Sequence, residues 1–75
     1  MDDPISKAVI KIIAKTSEPL ETKEVEKLAR DIVKDVTRTK LFYRLTMLRA
    51  EGVIKGKFLG PGKGVWIWWK KEAFD

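Results

Sequence analysis

Between Val36 and Lys71 the chain carries Arg38, Lys40, Arg44, Arg49, Lys55, Lys57, Lys63, Lys70 and Lys71 against a single acid, Glu51. Guanidinium and ammonium groups at that density neutralise phosphates and donate charge-assisted hydrogen bonds to them, so an acidic polymer is the partner they fit. The rest of the chain is nearly balanced. Residues 1–35 hold seven bases and eight acids, and the tail adds Glu72 and Asp75, so the net charge of +5 comes from one half of the sequence.

The residue types that are missing narrow the chemistry further. There is no cysteine and no histidine, which removes thiolate nucleophiles, disulfides, the commonest general base and the usual zinc ligands. The acids are not paired in an apolar setting. Gly60-Pro61-Gly62-Lys63-Gly64 lacks both the spacing and the following helix of a phosphate loop. An enzyme is not expected, nor is any cofactor or metal. Asparagine and glutamine are absent too, while Lys and Glu are plentiful, a profile that fits a hyperthermophile protein. No apolar run approaches the roughly 18 residues needed to span a bilayer, and Met1-Asp2-Asp3-Pro4 is acidic where a signal peptide would be basic. The expectation is a soluble, cytoplasmic, nucleoid-associated protein.

Seventy-five residues make one domain, 1–75, and a small core must position these side chains. Asp3 as N-cap and Pro4 at the first helical position start a helix that ends near Thr16. Its apolar stripe is Ile5, Ala8, Val9, Ile12 and Ile13, with Lys7, Lys11 and Lys15 on a solvated face. Leu20 is enough for a very short strand or a core plug. Thr22 caps a second helix that buries Val25, Leu28, Ala29 and Ile32, ends near Lys34 and carries ion-paired charges on its exposed side. Thr37 caps a third helix running to about Glu51, whose Leu41, Leu45 and Leu48 lie within about 60° of one another at 100° per residue. Gly52 stops it. Val53–Leu59 and Val65–Lys70 then read as an antiparallel hairpin around the glycine-rich turn.

This order resembles the winged helix-turn-helix family over nearly the whole chain, from about Ile5 to Lys70. The resemblance is carried by Leu28-Ala29, Val36-Thr37, the leucines at 41, 45 and 48, and Glu51-Gly52-Val53-Ile54, with Gly60–Gly64 as the wing tip. It implies an α+β fold of three helices and a C-terminal two-stranded β-hairpin wing, similar to small archaeal DNA-binding transcriptional regulators. One departure is the segment from Ala29 to Val36, which is longer than the commonest spacing and has no glycine in its turn; it reads as a longer second helix.

The resemblance also implies a partner and a site. Duplex DNA would take the third helix in its major groove, with Thr37, Arg38, Thr39, Lys40, Tyr43 and Arg44 along the helix and Lys55, Lys57 and Lys63 on the wing. Arg38 and Arg44 sit on flanks suited to phosphates. With no Asn or Gln, direct readout is left to Arg or Lys on guanine and to Thr or apolar contact with the thymine methyl. Alternation in the last strand puts Val65, Ile67 and Trp69 on one face and Trp66 and Trp68 on the other. The second face, unless Phe74 folds over it, is expected to be an exposed aromatic patch. With Met47 it would serve a homodimer or a protein partner, the basis of an alternative reading as a protein-interaction module.

Overall fold

A computed structural model describes residues 3–72. It comprises α1 (Pro4–Lys15), β1 (Leu20–Glu21), α2 (Thr22–Arg30), α3 (Arg38–Ala50), β2 (Ile54–Leu59) and β3 (Val65–Lys70). The architecture is α+β, three helices with a three-stranded antiparallel sheet ordered β1-β3-β2. The expected C-terminal hairpin is β2–β3, and the very short strand at Leu20 joins it as a third strand. Leu20 and Glu21 pair with Trp68 and Ile67, so β1 closes the edge of β3 that a bare hairpin would leave open.

Local signals set the helix ends. Asp3 accepts from the Ser6 N–H at 2.9 Å and from its hydroxyl at 2.9 Å, and Pro4 opens α1. Thr37 Oγ1 accepts from the Lys40 N–H at 3.2 Å at the start of α3. Gly52 follows α3 with φ +78°, the left-handed conformation that glycine adopts without cost. Thr22 behaves differently from expectation. It is the first residue of α2, Glu21 is the N-cap, and the Glu24 carboxylate accepts from the Glu21 N–H at 2.7 Å. The Thr22 hydroxyl is used elsewhere, accepting from the Trp68 indole at 2.9 Å.

The second helix is also shorter than expected. It ends at Arg30, and its last carbonyls, Leu28 and Ala29, are taken by the N–H groups of Asp31, Ile32 and Val33 in a tightening turn. Val33 then packs against the core, while Leu28 and Ile32 stay 42% and 53% exposed. Continuing the helix would lose that Val33 contact and gain none for Ile32. Residues 31–37 are therefore a connection, braced where Arg30 Nε donates to the Val36 carbonyl at 3.4 Å.

The core joins Val9, Ile12 and Ile13 of α1, Val25 and Ala29 of α2, and Leu41, Leu45 and Leu48 of α3 with Val36, Ile54 and Trp68. In β2–β3 the register sets Gly56 opposite Trp68 and Phe58 opposite Trp66. Cross-strand partners share a face, so Ile54, Gly56, Trp66 and Trp68 look toward the helices. A Cβ on Gly56 would overlap the Trp68 ring. Glycine at that point leaves the room in which Trp68, the largest of the fully buried side chains, is accommodated.

Candidate nucleic-acid interface

Around α3 the side chains sort by angle. Leu41, Leu45 and Leu48 face the core. On the opposite side Thr39, Lys40, Tyr43, Thr46, Met47 and Ala50 form the outer face, with Thr39, Lys40, Tyr43 and Ala50 exposed and Thr46 and Met47 half-buried. Tyr43 is 54% exposed, so it is not a packing residue. Its carbonyl accepts the Thr46 hydroxyl at 2.8 Å. Lys40 pairs with no carboxylate among the described residues.

The cations beside this face are tethered. Arg44, on the flank toward α1, sets Nε 3.0 Å from the Asp3 carboxylate and its guanidinium 5.4 Å from the Tyr43 ring centre. Desolvation alone would raise the Asp3 pKa. The Ser6 donors and Arg44 outweigh it and hold the carboxyl at about 2, below its ordinary 3.8. On the flank toward the hairpin, Arg38 pairs through Nε with Glu26, which also receives Arg30 at 2.6 Å. Glu26 is nearly buried, 7% exposed, and the two arginines are the partners that make its burial tolerable.

Farther along the same flank, Arg49 donates to the Gly56 carbonyl at 3.0 Å and stacks 5.3 Å from the Trp66 ring centre. Phe42 meets Trp66 and Trp68 edge-on at 6.2 and 5.9 Å. These contacts make α3 and the hairpin one unit. Lys63, in the turn, reaches back to Glu21 at 3.5 Å. Lys55 and Lys57 pair with Trp69 and Ile67, on the face of the sheet turned away from the helices. The structure thus groups Thr37, Arg38, Thr39, Lys40, Tyr43 and Arg44 along one helix, brings Lys63 toward α2, and sets Lys55 and Lys57 apart.

The expected exposed patch of Trp66 and Trp68 is corrected. Trp68 is 0% exposed, and Trp66, half-buried, stacks on it at 5.2 Å and 15°. The face with the tryptophan pair looks inward because Gly56 leaves room there. Phe74, suggested as a cover, lies outside the described residues. Met47 is half-buried on the outer face of α3, far in angle from the inward-facing tryptophans.

Sequence reasoning missed Phe42, one step off the leucine stripe, and the acids that hold the cations. Glu26 reads as an exposed member of an ion-paired face. Only its spacing of four from Arg30 hints at a pair, and nothing local points to Arg38. The comparisons add no relative, since no family model, curated protein or solved structure matches the chain.

Proposed function

We propose that this chain is a winged-helix DNA-binding protein, acting in transcription regulation or on chromatin. It binds duplex DNA with α3 in the major groove and the hairpin, as the wing, against the backbone or minor groove. The observation that carries this reading is the outer face of α3: it makes no core contact, exposes Lys40 and Tyr43, and lies between two arginines. A groove about 12 Å wide admits such a helix. Lys40 and Thr39 reach base edges, Arg38 and Arg44 reach the flanking phosphates, and Lys63 adds a contact from the wing tip. With one cation on the reading face, phosphate contacts supply most of the affinity and sequence preference is modest.

A titration of duplex DNA at increasing salt tests the proposal. Affinity is expected to fall steeply with salt and to drop when Arg38, Lys40 and Lys63 are all replaced by alanine. Binding unchanged in that triple variant, or absent at low salt, refutes it. The alternative, a winged-helix protein-interaction module, draws on a different surface. Leu28 and Ile32 are exposed, and Leu28 lines a groove with Ile12 and Leu20. Loss of DNA binding at low salt would favour that reading.

A further inference from the structure

Between the start of α2, the first turns of α3 and the hairpin turn lies a cleft of about 320 Å³. Phe42 and Trp66 line it as aromatic walls, Arg38 and Lys23 stand at its polar side, and Gly64 borders it without a side chain. Glu21 also lines the cleft, its carboxylate met by Lys23 at 3.8 Å and Lys63 at 3.5 Å. Packing does not account for all of this. Trp66 stacks on Trp68, carries the Arg49 guanidinium against its ring and meets Phe42 and Phe58, yet it is only half-buried, so part of its aromatic surface stays open beside Lys23 and Arg38.

We propose that this cleft seats one unpaired nucleotide of DNA bound along α3. An aromatic wall takes the π-face of any base, and stacking of this kind tolerates every sequence. Arg38 and Lys23, both more than half exposed at the side chain, are placed to meet the phosphates on either side of that base. A base still paired in a duplex cannot enter a concave site, because its faces are covered by its neighbours. The occupant is therefore a nucleotide at a single-stranded overhang or a frayed end. Lys63 meets Glu21 at 3.5 Å beside the cleft, which links the wing tip to one of the residues that line it.

This site rests on the DNA-binding reading above, and the test separates the two. Fluorescence anisotropy at low salt compares a blunt duplex with the same duplex carrying a short single-stranded overhang on either strand. One overhang is expected to raise affinity by about fivefold to a hundredfold, the worth of one base–aromatic stack. Trp66→Leu is expected to abolish that preference while blunt-duplex affinity holds, with circular dichroism confirming the fold. If Trp66→Leu does not fold, Phe42→Leu removes the adjoining aromatic wall and is expected to weaken the same preference. Equal affinity for blunt and overhanging duplexes in the unaltered protein overturns the nucleotide site, as does a preference that survives in the folded variant. Failure to bind either DNA overturns the DNA-binding reading itself.

Discussion

Replacing Glu26 by glutamine is expected to move stability and DNA affinity in opposite directions. The carboxylate receives Arg30 and Arg38 while almost buried. Two charges about 4 Å apart attract by ~4 kcal/mol at an effective dielectric near 20. Both guanidinium groups are more than half exposed, and solvent screening with side-chain ordering brings each contact to about 1 kcal/mol. Glutamine keeps the volume and can still accept a hydrogen bond, so no cavity adds to the loss. The expected cost is ~1–2 kcal/mol, or a fall in Tm of roughly 5–15 °C for a domain of this size. At the same time Arg38 is released beside α3. Arg38 then reaches its phosphate without first leaving a carboxylate, so affinity is expected to rise while the slope of log affinity against log salt, set by the number of phosphates neutralised, is kept. Thermal melts of the free protein and DNA titrations across a salt series read the two effects separately. A destabilised variant with a flatter salt slope would refute the reasoning, because Glu26 would then be holding Arg38 in its binding position instead of competing for it.

Gly56→Ala is expected to cost ~1–3 kcal/mol by forcing the Trp68 ring aside, and urea unfolding followed by tryptophan emission would expose an unchanged midpoint if the packing account fails. Lys40→Ala is expected to flatten the salt slope by about 0.9 and to leave stability within ~0.5 kcal/mol; an identical slope removes Lys40 from the interface. Asp3→Asn tests the pH dependence. The folded state favours the charged Asp3 carboxyl, holding it at about 2 against an ordinary 3.8, so its contribution is present above about pH 4 and is lost as pH falls toward 2. Linkage caps that contribution at ~2.4 kcal/mol, and partial exposure brings it to about 1 kcal/mol. Asparagine still caps the helix but cannot titrate, so the variant should lose less stability than the unaltered protein between pH 5 and pH 2; equal losses would assign the acid sensitivity to other groups.

The features legible in the sequence are those whose cause lies within a turn or two. Asp3-Pro4, Thr37 and Gly52 each satisfy or terminate a helix end through their own backbone neighbourhood, and the leucine spacing of α3 needs only helical geometry. The face of β3 that turns inward is not a local property. Alternation divides Trp66 and Trp68 from Ile67 and Trp69, but the inward choice depends on Gly56 across the sheet. That glycine becomes a signal only when the register is known. The end of α2 fails for a similar reason: Ile32 continues the helical spacing from Leu28, yet the helix ends at Arg30 and it is Val33 that packs against the core. Of the candidate site, the residue types on α3 were visible, while their tethering was not.

That tethering changes what the basic block means. In sequence most of the acids sit before residue 36, nearly balanced by seven bases, and nine bases with a single acid follow between 36 and 71, which suggests a strong field on one half. Folding brings the halves together so that Asp3 meets Arg44, Glu26 meets Arg38 and Glu21 meets Lys63. The three cations best placed around α3 and the wing tip are thus each paired with a carboxylate from the first half. Pre-paired side chains are already ordered, so a phosphate that displaces the carboxylate recovers less attraction than an unpaired cation would give, but meets a group held in place. Electrostatics would then act more on the geometry of binding than on its strength, and Lys40, with no carboxylate partner among the described residues, would carry the steepest single share of the salt dependence.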